Sequence, residues 1–158
     1  MFRAMRRFKQ QTTDDACRDA LRRAKRGVLA VSGDDGYPYA MPLNFVFDGD
    51  AGVIYVHSAL AGHKMDAIAR CDKVCFTAWV EDSLDEDGWS YHLTSVVAFG
   101  RAAVVTDEAE RALRLRQLGE KYFPPEYDID KDLKNNMPRA ALIAITVEHM
   151  TGKRVHEQ

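Results

Sequence analysis

The chain has 158 residues, enough for one domain with a real hydrophobic core and too short for two ordinary ones. Hydrophobic residues make up 46% and charged residues 29%, a globular composition that excludes a disordered or membrane-embedded chain. The formal net charge is −2, so no overall basic field recruits nucleic acid.

The first organised segment reads as a helix over about residues 13–26. Thr12 and Thr13 offer an N-cap, and Asp14 and Asp15 suit the positive end of the dipole. Cys17, Ala20, Leu21 and Ala24 then form an apolar stripe, and Gly27 is a natural stop. From there the period changes from helix to strand. Gly27–Ser32 reads as a strand, Gly33–Gly36 as a hairpin turn, and Tyr37–Phe47 as a long second strand carrying Pro38 and Pro42. Asp48–Gly52 is a second turn and Val53–Ser58 a third strand. Leu60–Cys71 fits a short helix with Met65, Ile68 and Ala69 on one face, and Lys73–Val80 is a fourth strand.

The stretch Glu81–Asp87 carries five acids and no base, and residues 1–26 carry nine Lys/Arg against three Asp/Glu; both read as solvated surface. Trp89–Val105 is a long alternating strand. A helix from about Asp107 to Tyr122 follows, with Ala109, Ala112, Leu113, Leu115 and Leu118 as core contacts, until Pro124 and Pro125 break it. Residues 126–137 read as a polar loop with at most one helical turn, Arg139–Met150 as a final strand and Thr151–Gln158 as a tail. Hairpin-spaced strands without regular βαβ alternation argue for a mainly β domain over 1–158, an antiparallel barrel with peripheral helices.

Cys17, Cys71 and Cys75 suggest no disulfide framework, and the spacing of Cys71 and Cys75 suits neither a redox pair nor a zinc knuckle. Both read as core fillers. The N-terminal MFRAMRRFKQQ has no apolar leader segment, and no stretch approaches the ~20 apolar residues of a membrane span. The expectation is a soluble, reduced, cytoplasmic protein that binds neither nucleic acid nor membrane.

Two places could carry chemistry. Proline cannot donate to a sheet ladder, so Pro42 implies an edge, a bulge or a break. After a break, backbone groups of Leu43, Asn44, Phe45 and Val46 are free to meet a flat heteroaromatic ring with a polar rim; a bulge that merely curves the barrel is the alternative. The second place is HSALAGHKMD, His57–Asp66, where a strand ends and a helix begins. Helix N-termini expose unpaired N–H groups and partial positive charge, which suits a phosphate. Ser58 offers a hydroxyl, Gly62 permits close backbone approach and Lys64 supplies a cation; a plain connector with a solvated Lys64 is the other reading. His63 could bond a phosphate, touch a substrate, ligate iron or simply lie on the surface, and His57 could be a satisfied, half-buried ring. There is no G-x-G-x-x-G, Walker sequence, H-E-x-x-H or G-x-S-x-G, so nothing marks a Rossmann or P-loop site, a zinc hydrolase or a serine hydrolase. No resident metal is expected. If the protein is an enzyme, a cofactor carries the chemistry.

The runs GDDGYPYAMPLNFVF, IYVHSALAGHKMDAI, SVVAFGRA and HMTGK, with the opening MRR, together resemble the 5-nitroimidazole-resistance proteins. These belong to the flavin-binding, pyridoxamine 5′-phosphate oxidase-like superfamily. The resemblance implies a six-stranded antiparallel split β-barrel of the FMN-binding type, a homodimer with flavin mononucleotide (FMN) at the subunit interface, and FAD or haem as alternative groups. By position, Pro42, Leu43, Asn44, Phe45 and Val46 would line the flavin ring. His57, Ser58, Ala59, Gly62, His63 and Lys64 would hold the phosphate or lie beside it, and Ser95 and Val96 would complete the pocket, from the same or the partner subunit. Tyr37 and Tyr39 are expected in barrel packing. Lys153 is a candidate for the flavin N1–O2 edge, with a flexible tail as the alternative, and His63 a candidate proton donor. The implied activity is flavin-dependent reduction of small oxidised aromatics, nitroimidazoles among them. The alternatives are a haem-handling protein with His63 or His57 as axial ligand, or a flavin-binding module without turnover. The chain ends in TGKRVHEQ, not in the arginine-rich signature of a true pyridoxamine phosphate oxidase, so the vitamin is not the expected substrate.

Overall fold

The computed structural model describes residues 1–84, 86, 88 and 91–157. In chain order the elements are β1 (Gln11–Thr12), α1 (Asp14–Arg23), β2 (Gly27–Ser32), β3 (Pro38–Leu43), β4 (Val46–Asp48), β5 (Val53–Ala59), α2 (His63–Arg70), β6 (Lys73–Leu84), β7 (Tyr91–Val104), α3 (Glu108–Tyr122), α4 (Ile129–Asn136) and β8 (Ala140–Glu157). Short 3₁₀ turns at Phe8–Gln10, Asp34–Gly36 and Met137–Arg139 join them.

All strand pairs are antiparallel, in the order β3-β2-β6-β7-β8-β5-β4, with β1 added beside β8. The two edge strands are consecutive in the chain. Leu43 closes the β2 ladder opposite Gly27, Val46 opens the β5 ladder opposite Tyr55, and only Asn44 and Phe45 lie between. A sheet whose opposite edges are two residues apart must curl until they meet. The result is a barrel split along one strand. Counting β3 and β4 as halves of that strand, and setting aside the two-residue β1, the barrel has the six strands expected.

The break falls two residues later than Pro42, which keeps its register with Val28. Proline is tolerated there because β3 is an edge strand and asks for no donor on its open side. At the break itself, α3 replaces the missing ladder. The Phe45 N–H donates to the Tyr122 hydroxyl at 3.0 Å, and the Phe45 carbonyl accepts from the Tyr122 hydroxyl and from Lys121 Nζ, each at 3.0 Å. The Phe45 side chain is fully buried and meets Phe76 edge-on at 4.9 Å.

The barrel interior is filled from alternate strand positions: Leu29 and Val31 of β2, Phe76 and Ala78 of β6, Val96 and Ala98 of β7, and Ile143 and Ile145 of β8. Helix α1 packs on this core through Cys17, Ala20 and Leu21, with Ala24 just beyond, the stripe its sequence shows, and Thr13 is its N-cap. Helix α3 seals the outside of β5 through Leu118 and Tyr55. The Tyr55 hydroxyl donates to Glu110 at 2.8 Å, and Arg114 lies over the Tyr55 ring while pairing with Asp48 at 2.7 Å. Leu118 is buried and Leu115 packs in the same cluster, but Ala109 and Leu113 are exposed.

Several sequence expectations are corrected. Residues 151–157 are no tail: β8 runs 18 residues, because Tyr91–Val97 of β7 pairs with it and both Gly152 and Val155 are buried there. The polar loop 126–137 holds the two-turn helix α4, capped by Asp128, whose side chain accepts from the Lys131 N–H. β6 extends to Leu84 past a register shift between Val80 and Ser83, so the acidic segment begins in a strand; Asp85, Asp87 and Trp89 lie outside the described residues. Helix α2 is shorter than Leu60–Cys71, and Ala69 is exposed. Cys71 and Cys75 are only half-buried, Cys75 lying on the outer face of the barrel; only Cys17 is core.

Tyr122→Phe should destabilise the protein by about 1–3 kcal/mol, the usual cost of leaving a sheltered backbone N–H unpartnered, read as a lower urea midpoint. A midpoint equal to wild type would show that the split is not held by this hydroxyl.

Candidate functional site

Beside the break lies a cleft of about 460 Å³. Leu115, Leu118 and Phe123 from α3 and its end form one wall, and Ile129, Leu133 and Met137 from α4 and the turn after it form the other. The lining also carries polar groups: Arg26 from the α1–β2 junction, Asn44 from the break, His57 from β5 and Tyr122. In β5 the even positions Ile54 and Val56 enter the barrel core, so His57 faces outward onto the cleft while Ser58 faces inward and is buried.

Just past β5 the chain turns at Gly62, whose φ of +124° only glycine adopts freely, and enters α2. No side chain caps this helix start, and a side chain at Gly62 would meet nothing within 4 Å. The Met65 and Asp66 N–H groups bond back to the Gly62 carbonyl, which leaves the N–H groups of His63 and Lys64 without a partner among the described residues. Lys64 is half-buried, and among the described residues its ammonium has no hydrogen-bond or carboxylate partner. Burial pushes its pKa below that of an ordinary lysine. Burial and the Lys64 charge together hold His57 towards its neutral form. An anion at this point would relieve both groups.

Of the residues singled out from the sequence, Asn44 and His57 share the cleft, and Ser58, Ala59, Gly62, His63 and Lys64 follow one another from the end of β5 into α2. Pro42 is exposed on β3, Leu43 and Val46 flank the break half-buried, and the Phe45 backbone is already bonded to α3. The His63 ring turns away to the hairpin: it stacks on Tyr39 at 4.2 Å and its Nε2 lies 3.4 Å from Asp34, which also pairs with Arg70 at 2.6 Å. Tyr37 is 75% exposed and Tyr39 lies against His63, so neither tyrosine is in barrel packing. Ser95 and Val96 are not brought to the cleft. Val96 is buried in the core, and Ser95 sits on the outer barrel face between Trp79 and Lys153, to which it is paired. Lys153 is thus part of a ladder and not of a tail.

Arg26, Lys121 and Tyr122 escaped the sequence reading. Lys121 lies 4.2 Å over the Phe45 ring, and burial, helped by the Arg26 charge, pushes its pKa down to about 8. The Arg26 guanidinium lies 5.1 Å from the centre of the Tyr122 ring. The one available signal was the spacing of Ile129, Leu133 and Met137, which repeats every four residues through a segment otherwise too polar to look helical.

A curled antiparallel sheet split at one strand, flanked by a helix start suited to an anion and by an apolar cleft, defines a split-barrel protein. Residues 13–154 match the family model described as pyridoxamine 5′-phosphate oxidase, and the chain belongs to that family. Among solved structures, it is similar to a candidate 5-nitroimidazole antibiotic resistance protein of Bacteroides thetaiotaomicron, with a TM-score of 0.75 and 20% identity over 92% of this chain and 86% of that one. It is also similar to an FAD-binding protein of Mesorhizobium loti (TM-score 0.67, 18% identity, 92% and 96% covered). A third, an FAD- and haem-binding protein of Mycobacterium smegmatis, gives a TM-score of 0.73 at 19% identity, with 94% and 74% covered. At these identities the likeness is one of fold. Comparison with curated protein sequences found no match.

Lys121 should make stability depend on pH in a defined direction. Its native pKa of about 8 lies below the ordinary value of 10.5, so between those limits the unfolded chain binds more protons than the native one. Stability relative to Lys121→Met should therefore rise with pH across that window and stay flat below it, measured by urea unfolding in a pH series. A difference that falls with pH would contradict the buried placement of Lys121.

Proposed function

We propose that the protein is an FMN-dependent oxidoreductase that reduces small oxidised aromatics, nitroimidazoles among them, and works in the cytoplasm as a homodimer. The observation that carries this reading is the unpartnered, half-buried Lys64 ammonium beside the uncapped start of α2, in a chain of the pyridoxamine 5′-phosphate oxidase family. The likeness in fold to proteins described as FAD-binding and as nitroimidazole-resistance proteins supports it.

In this reading the flavin phosphate takes the N–H groups of His63 and Lys64 and the Lys64 cation. Ala59 and Gly62 keep the approach open, while Ser58 anchors the end of β5. Pro42 and Val46, which leave an uneven strand edge at the break, would hold the flavin ring. Bound flavin supplies hydride or single-electron transfer, which the protein's side chains lack. Asn44 and His57 would hold the ring from the cleft side, and the cleft's apolar walls would exclude water from the substrate. Held neutral beside Lys64, His57 can accept a hydrogen bond without adding charge. Asp34 and Tyr39 orient the His63 ring, so its contribution to binding is its backbone N–H.

The outer barrel face supports dimerisation. Ala30, Thr77, Val97, Trp79 and Phe99 lie on it side by side across β2, β6 and β7, with Trp79 and Phe99 about two-fifths exposed. Docking two such faces would bring Ser95 and Lys153 of one subunit towards the other's flavin.

A second reading has one observation in its favour: an outward, neutral-leaning His57 at an apolar-walled cleft also suits an iron porphyrin. The absorption spectrum of the purified protein separates the two, flavin giving a band near ~450 nm and haem a Soret band near ~410 nm. Lys64→Ala should weaken binding of riboflavin phosphate about 10- to 100-fold by fluorescence titration, the scale of one charge-assisted hydrogen bond, without lowering the urea midpoint. Unchanged affinity would remove the phosphate site. Trp79→Glu should convert a dimer to a monomer by light scattering, and a wild type already monomeric would exclude the homodimer.

A further inference from the structure

We propose that the cleft between α3 and α4 selects planar aromatic monoanions, with the apolar walls taking the ring system and Arg26 taking the acid group. This names the substrate class for the site proposed above and so rests on that reading.

Helix α4 has no buried residue, yet Ile129, Leu133 and, in the turn after it, Met137 form an apolar row at i, i+4 and i+8. Only the first is docked: Gly119 of α3, buried and without a side chain, lets Ile129 approach so closely that a Cβ there would sit 3.3 Å from it. The rest of the row faces the cleft, not core side chains. Protein interiors are close-packed, so an apolar space of about 460 Å³ left open on both walls is room for a ligand. Leu115, Leu118 and Phe123 opposite make it a slot suited to a flat ring system.

Charge in the lining then sets the ligand's sign. Arg26 donates to its neighbour's carbonyl, Lys25 O, and lies over the Tyr122 ring; among the described residues it has no carboxylate partner. The one acid of the cleft, Asp132, already accepts from the Tyr127 hydroxyl at 3.1 Å and from Asn136 Nδ2 at 2.7 Å. Arg26 is thus a guanidinium without a carboxylate partner in a cleft whose acid is already hydrogen-bonded, and it suits a carboxylate or phenolate. A single cation balances a singly charged group better than a doubly charged phosphate.

The test is isothermal calorimetry on the purified, flavin-loaded full chain with 2-naphthoate and its neutral isostere 2-naphthamide, alongside riboflavin phosphate titrations of the same preparations. Wild type should bind naphthoate at least about tenfold more tightly than naphthamide, the scale of one charge-assisted contact. In Arg26→Gln that preference should shrink to about twofold or less while flavin affinity stays unchanged. Leu133→Trp, which fills the slot from an exposed helix, should abolish naphthoate binding and spare flavin; it also serves if Arg26→Gln folds poorly. Equal binding of acid and amide, binding of neither, displacement of flavin by naphthoate, or a haem occupying the cleft would each overturn the proposal. Selective naphthoate binding by a protein that never retains flavin would support the cleft assignment and sink the flavin reading, so the two failures are separable.

Discussion

The structure turns on two residues whose backbone has no strand to pair with. Asn44 and Phe45 carry the chain from one edge of the sheet to the other, and a curled sheet can hold that crossing only if its stranded polar groups find partners. Tyr122 and Lys121 supply them. That requirement brings the C-terminal end of α3 against the barrel at this point and no other. With α3 placed, the chain leaving it at Pro124 and Pro125 returns through α4, and the cleft is the space this return encloses.

The same closure explains the electrostatics. A lysine that reaches inward to bond a carbonyl gives up hydration, and Arg26 nearby adds like charge; both push Lys121 towards neutrality. Lys64 is desolvated as well, at the start of α2. Cations sheltered without carboxylates are costly, and a bound anion would offset that cost.

Local patterns made much of the fold legible. The stripe of α1 with its Thr13 cap, the β2 ladder and its hairpin to β3, and the start of α2 all follow from residues within a few positions of one another. What the sequence concealed depends on distant partners. Thr151–Glu157 is polar enough to pass for a tail, and it becomes a strand only because β7 lies alongside. The row Ile129, Leu133, Met137 sits among charges, and its helix is stabilised by a cap and by Gly119 ten residues earlier. For the site, the Gly62–Lys64 turn could be read directly because loop and helix start are contiguous. Arg26 and Lys121 could not, since Arg26 meets Tyr122 and Lys121 meets Phe45 only after the barrel has closed. The direction of the His63 ring is hidden for a similar reason: Asp34 and Tyr39, which hold it, belong to a hairpin distant in the chain.

The two walls of the cleft differ in how freely they can vary. On one side Leu118 is buried and Tyr122 holds the barrel shut, so changing them disturbs folding together with whatever occupies the slot. On the other, Leu133, Asn136 and Met137 border the space without contributing to the core. Diversification confined to those three positions would reshape ligand preference while leaving thermal tolerance nearly intact. New specificity in this scaffold is therefore most accessible through α4 and its following turn.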